Sequence, residues 1–135
     1  FWGERIGYTA ALSSIKEFKR LRVFKKIESN GKFIKFIWGD LSKKHNVPIK
    51  IMGTNAIPSF EFCSNHRRRK TFLTQEMLRN KILATNMIYV TIFHTKTNIR
   101  KYIKVMDKVF YNISKNKIKN IFKSKICFQP IKRIN

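Results

Sequence analysis

Asn46-Val47-Pro48 is the hinge on which any fold for this chain must turn. A residue preceding proline is pushed out of the right-handed helical region, so a helix does not run through it. Before this break the apolar residues recur at a helical period; soon after it they alternate. A chain that switches period at one place stacks helices on strands rather than forming a pure bundle or a pure barrel.

On the amino-terminal side, Ile6 to about Leu21 reads as an amphipathic helix. Ala11, Leu12, Ile15, Phe18, Arg22 and Phe24 recur near a period of about 3.6 residues. A second helix covers Phe24 to His45, with Ile27, Phe33, Ile34, Ile37, Trp38 and Leu41 inward. Gly31 inside it is either tolerated or marks a bend. Beyond the break, Ile49 to Met52 is a short strand and Gly53-Thr54-Asn55 a turn. Ser59 to Cys63 alternates as a half-buried strand does. Asn65 to Arg69 reads as a polar loop. Thr71, or alternatively Thr74, is the N-cap of a helix carrying Phe72, Leu73, Met77 and Leu78.

Ile82-Leu83-Ala84 is a short extended piece. Met87 to Phe93, the longest apolar run, suits a buried strand, with Ile88 to Ile92 β-branched and aromatic. It falls far short of the ~20 residues of a membrane span. Thr95 caps a long helix from Lys96 to about Ser114, with Ile99, Tyr102, Ile103, Met106, Val109, Phe110 and Ile113 on its apolar stripe. Ile118 to Lys125 adds a short helix, and Gln129 to Asn135 an irregular strap. The sum is α+β, one domain over residues 1–135, with helices packed on one face of a small, mostly antiparallel sheet. The opening residues, Phe1 to Gly7, read as a loop entering a helix inside something longer, so the chain is expected to be a fragment.

The net charge is +23. Charge of that size fits a polyanion partner, because dense Lys and Arg release counterions from nucleic acid. Composition offers a plainer source. Lys, Asn, Ile, Phe and Tyr make up about half of the chain and share A/T-rich codons. The lysines are scattered, and Arg67-Arg68-Arg69-Lys70 is the one tight cluster and the best local anion site. A small basic nucleic-acid-binding module is therefore the alternative reading, with binding to nucleic acid otherwise non-specific.

Catalytic groupings are sparse. The chain has seven carboxylates, and no two form a convincing acid–base pair. Glu4, Glu17 and Glu28 suit helical pairing with nearby lysines, Asp40 and Asp107 ordinary exposed helix positions, and Glu61 the outer face of its strand. His45, His66 and His94 are isolated, with no clustered ligands for a metal. Cys63 and Cys127 lack motif spacing and read as reduced thiols of a cytoplasmic protein. Trp2 and Trp38 suit core or interface anchors.

Taken in order, these segments resemble the C-terminal domain of class III pyridoxal-phosphate aminotransferases, of the glutamate-1-semialdehyde aminomutase type. Phe1 to Ile15 is similar to the loop and helix that enter that domain. Trp38 to Asn46 is similar to the end of its second helix, Pro58 to Phe62 to its first inner strand, and Thr74 to Ala84 to a helix and the strand after it. His94-Thr95 and Lys132 to Asn135 also fit.

The resemblance implies a parent enzyme that moves an amino group on pyridoxal 5'-phosphate bound as a lysine Schiff base. In the family that lysine lies upstream of the matched segment, and a phosphate-binding Thr would fall just ahead of Phe1. Of the loop itself, Trp2, Gly3 and Glu4 match positions near the cofactor phosphate or the dimer interface. The implied partners are the large domain of the same enzyme and a second subunit of a homodimer, with no membrane. No cofactor is expected on the isolated fragment. The family's carboxylate-holding Arg near the last strand has no counterpart in Met87 to Ile92, so the resemblance leaves the substrate open.

Overall fold

A computed structural model describes residues 3–118 and 125–127. Six elements follow one another: α1 (Arg5–Arg20), α2 (Val23–His45), β1 (Ile49–Met52), β2 (Ser59–Phe62), α3 (His66–Arg79) and α4 (Lys96–Ser114). The architecture is α+β, with helices against a small antiparallel sheet. The expected helix at 118–125 and strap at 129–135 fall almost wholly outside the described residues.

The stop between α2 and β1 is sharper than proline alone would make it. Asn46 adopts the left-handed conformation (φ 51, ψ 47). Its N–H donates to the Lys43 carbonyl at 3.2 Å, and the Val47 N–H donates to the Ser42 carbonyl at 3.0 Å. This pair of reverse bonds is the Schellman closure, which satisfies carbonyls that a helix end leaves open. Asn tolerates the left-handed region better than most residues, so Asn46 ends the helix and Pro48 prevents its resumption.

β1 and β2 pair in register, Ile49 with Phe62, Lys50 with Glu61 and Ile51 with Phe60. Alternation puts Ile49, Ile51, Phe60 and Phe62 toward the helices, and leaves Lys50 opposite Glu61, both exposed, on the other face. Opposite charges across a strand pair are mildly stabilising. The core forms where this sheet meets α2, α3 and α4. Trp38, Phe60, Phe72, Met77 and Phe110 are buried in it, and Trp38 meets Phe60 edge-on at 4.7 Å.

The segment expected as a buried strand at Met87 to Phe93 forms no regular strand, and Ile92 and Phe93 lie in a turn. It bridges β2 at Ser59–Met87. Phe60 N–H donates to the Asn86 carbonyl at 3.0 Å and Ile88 N–H to the Pro58 carbonyl at 3.1 Å. One step further, Val90 N–H donates to the Ala56 carbonyl at 2.9 Å, but the return bond to the Ile88 carbonyl would need an N–H on residue 58. That residue is proline, which has none, so the ladder continues on one side only. The segment is also half-buried rather than buried: Ile88, Val90 and Ile92 turn inward, while Tyr89 (65% exposed) and Phe93 (76%) turn out. Ile82 to Ala84 forms no strand either.

Other expectations are corrected in detail. The polar stretch at 65–69 is loop only at Asn65, which is left-handed (φ 49). From His66 it is helix, because Arg and Lys are good helix formers and Phe72, Leu73 and Met77 hold the segment on the core. Neither Thr71 nor Thr74 is a cap. Each lies inside α3 and returns its hydroxyl to the carbonyl four residues back, Arg67 at 2.8 Å and Lys70 at 3.1 Å. Thr95 does cap α4, accepting from Asn98 N–H at 3.3 Å. Phe33, expected inward, is exposed, as is Phe36. α1 buries no residue at all: Ile6, Tyr8, Leu12, Ile15 and Phe18 all remain exposed.

Gly31 does not bend α2. It lets the helix approach the turn after β1, where an added Cβ would overlap the carbonyl carbon and oxygen of Asn55. Gly31→Ala gains at most ~1 kcal/mol of helix propensity but meets backbone, which cannot swing aside, at an overpacking cost of ~1–3 kcal/mol. The variant is expected to unfold at lower temperature in a thermal melt; an unchanged or raised midpoint would mean that helix and turn do not touch.

Candidate functional site

Of the loop residues singled out by sequence, Trp2 lies outside the described residues. Gly3 sits in a turn with open space where a Cβ would be, and Glu4 is the exposed residue leading into α1, its side chain making no cap bond. Neither lines the grooves described below. No lysine among the described residues is buried, whereas a Schiff-base lysine sits desolvated in its pocket. The described residues thus do not by themselves fit a pyridoxal-phosphate site.

What the fold does assemble lies along α4. Trp38 of α2 donates its indole N–H to the Tyr102 hydroxyl at 2.8 Å, and both are buried. Burial pushes the Tyr102 phenol up, so it stays protonated. One turn further, Asp107 faces the end of α2, with its carboxylate 2.7 Å from His45 Nε2 and 2.8 Å from Lys44 Nζ. The hydrogen bonds from His45, then Lys44, hold its carboxyl below the usual carboxylate range. Asp107 is therefore a tertiary tie between α2 and α4 and not the ordinary exposed position expected. Its partners lie over sixty residues away in sequence, which hid them.

Two grooves lie along α4. One, of about 980 Å³, runs between the end of α2, the turn after α3 and α4; Lys44, Lys81, Lys101, Lys104 and Lys108 line it. The other, of about 630 Å³, lies between the 82–94 segment and α4, with Ile34 and Tyr102 beneath and Leu83, Met87, Tyr89 and Phe93 along its wall. Leu83 is 93% exposed. The grooves share Lys81, Ile82 and Lys101.

The basic run expected as the best anion site is engaged within the molecule in part, with the buried Arg69 Nη1 left without a hydrogen-bond partner. Arg67 donates to the Cys127 carbonyl through Nη2 at 2.9 Å and Nε at 3.2 Å. Arg69 lies 6.0 Å from the Phe62 ring, and burial lowers its pKa. The histidines are structural. His66 Nδ1 accepts from Phe62 N–H at 3.1 Å, and His94 Nδ1 from Thr91 N–H at 2.9 Å. Glu76, which the sequence did not single out, is buried (5% exposed) and accepts from Arg79 at 2.5 Å. Cys63 and Cys127 are free thiols. Among the described residues no group of His, Cys, Asp and Glu gathers as a metal site would, and no helix is long and apolar enough to cross a membrane.

No protein-family model matches the sequence, and no curated protein does. The fold is similar to part of the Sphingopyxis sp. MTA144 FumI protein, seen in its PLP internal aldimine form, with a TM-score of 0.71 over 80% of this chain at 14% identity. The match covers 27% of the FumI chain. The helices and sheet described above thus share the fold of about a quarter of the FumI chain.

The Asp107 tie carries a pH dependence with a definite sign. Its carboxyl is held down in the folded state, so its contribution is present above the unfolded value of about 3.9 and lost as pH falls through the lower folded value. The partly exposed carboxylate is screened, so the loss is on the order of 1 kcal/mol or less. Asp107→Asn should lower the urea midpoint at neutral pH, and its gap to the parent chain should narrow below about pH 4. A gap that stays constant through that range would place the ionised carboxylate outside the stability of the fold.

Proposed function

We propose that this chain is the C-terminal portion of a class III PLP-dependent aminotransferase or aminomutase, of the glutamate-1-semialdehyde type. Its role would be to close over the active site of the parent enzyme and to contribute to a homodimer. In isolation it would be catalytically silent, since no matched motif supplies the Schiff-base lysine.

The observation that carries this reading is where apolar surface lies. α1 has an amphipathic sequence and no buried residue, and Leu83, Tyr89 and Phe93 stand out from the 82–94 segment. Apolar patches of this extent mark surfaces made for a neighbour. The order of sequence blocks supports an aminotransferase neighbour, and the likeness to about a quarter of FumI supports a PLP context. Trp2, Gly3 and Glu4 would then stand at the entry loop, close to the cofactor phosphate or the second subunit, with the rest of the cofactor site supplied from outside the described residues.

The test has two parts. Added PLP is expected to give no internal-aldimine absorbance and no stoichiometric, borohydride-reducible adduct on a single lysine; such an adduct would contradict the assigned silence. Light scattering is expected to show self-association. Leu12→Lys combined with Ile15→Lys should reduce it while shifting stability by no more than about 0.5 kcal/mol, because neither side chain is buried. A monodisperse monomer that binds no apolar dye would remove the basis for a docking face.

A further inference from the structure

Lysines far apart in sequence converge on one groove, and we propose that this groove binds a small anion carrying adjacent phosphate groups. Lys101, Lys104 and Lys108 lie at spacings of three and four residues, which aligns them along one face of α4. Lys44 enters from the last turn of α2. Lys81 enters from the turn after α3, where its own backbone is left-handed (φ 59). All five line the same groove of about 980 Å³.

The charge there is not compensated from within. Asp107, the carboxylate in the lining, is already matched by Lys44 and His45. Among the described residues, no carboxylate lies within ion-pair distance of Lys81, Lys101, Lys104 or Lys108. Asp40 borders the adjoining hollow, but Arg100 does too. Like charges held toward one cavity repel, and a polyanion placed among them removes that cost. Lysine suits the task, since its ammonium acts as a compact point charge toward phosphate.

Shape narrows the ligand. α2, the turn after α3 and α4 border this open groove, and its volume falls within the range of small-molecule sites. Ile82 and Val105 supply apolar lining, and the half-exposed Tyr111 ring stands at one end. Two or three linked phosphates match several ammonium groups at once, where a single orthophosphate would meet only part of the set. Inorganic oligophosphate and a nucleoside triphosphate share this chemistry; Lys117 Nζ, 5.4 Å from the centre of the Tyr111 ring, adds one more ammonium beside the groove.

Isothermal titration of the full chain with inorganic tripolyphosphate at physiological ionic strength tests the proposal, beside orthophosphate, ATP and a single-stranded oligonucleotide. Saturable binding at least about 10-fold tighter than orthophosphate is expected, with a raised melting temperature. Lys104→Gln with Lys108→Gln should weaken it about 10-fold, whereas Lys25→Gln with Lys26→Gln, equal charge removed from exposed positions at the start of α2, should change it less than about twofold. ATP binding tighter than tripolyphosphate assigns the site to a nucleotide; equal or weaker ATP binding assigns it to the oligophosphate. Equal losses in both double variants would overturn the groove in favour of net charge. So would absence of tripolyphosphate binding, or oligonucleotide binding that tripolyphosphate fails to displace.

Discussion

The buried contact of Trp38 with Tyr102 and Phe60 sets the geometry of everything around it. The indole rests edge-on against Phe60 of the sheet and gives its N–H to the Tyr102 hydroxyl of α4. A buried donor left without its acceptor costs ~1–3 kcal/mol, so the bond fixes the rotation of both helices and not just their separation. With α4 held there, Tyr102 underlies the apolar groove, and the lysines on its neighbouring face look into the cationic one. Both grooves follow from one side-chain pairing.

Apolar surface is divided unevenly around that centre. α3 and α4 bury most of their apolar residues and α2 buries Val23, Ile34, Trp38 and Leu41 while leaving Phe24, Phe33 and Phe36 exposed, whereas α1 buries none. The Phe18 and Phe24 rings pair at 5.7 Å across the corner between α1 and α2, yet both remain exposed. Such an arrangement is self-consistent if the described residues are the inner half of a larger packing, in keeping with a likeness that spans about a quarter of FumI.

Legibility in the sequence tracked how local each cause was. The limits of α4 and β1 were readable because the period, the Thr95 cap and the Pro48 break all lie within a few residues of what they determine. The start of α3 was not, since consecutive arginines look like a loop until Phe72 and Leu73 are seen to need that helix against the core. The 87–93 segment was overrated as a buried strand because hydrophobicity was read without Pro58, which sits thirty residues upstream and withholds the donor. Asp107 and the groove lysines were invisible for the same reason: their relation is made by the crossing of α2 and α4. The spacing of Lys101, Lys104 and Lys108 at three and four residues is the one local trace of the groove in the sequence.

The missing donor at Pro58 has one more result. Three backbone bonds join the wall of the apolar groove to the 56–60 stretch, from Phe60 N–H to Asn86 and from Ile88 and Val90 N–H to Pro58 and Ala56, each worth ~0.5–1.5 kcal/mol; the Asn86 side chain adds a bond to the Phe60 carbonyl. A full ladder would have made that wall part of a stiff sheet. With the ladder stopped at that proline, the wall is held chiefly by its underside, where Val90 joins the core and Ile88 packs against it, while Tyr89 and Phe93 stand clear of both.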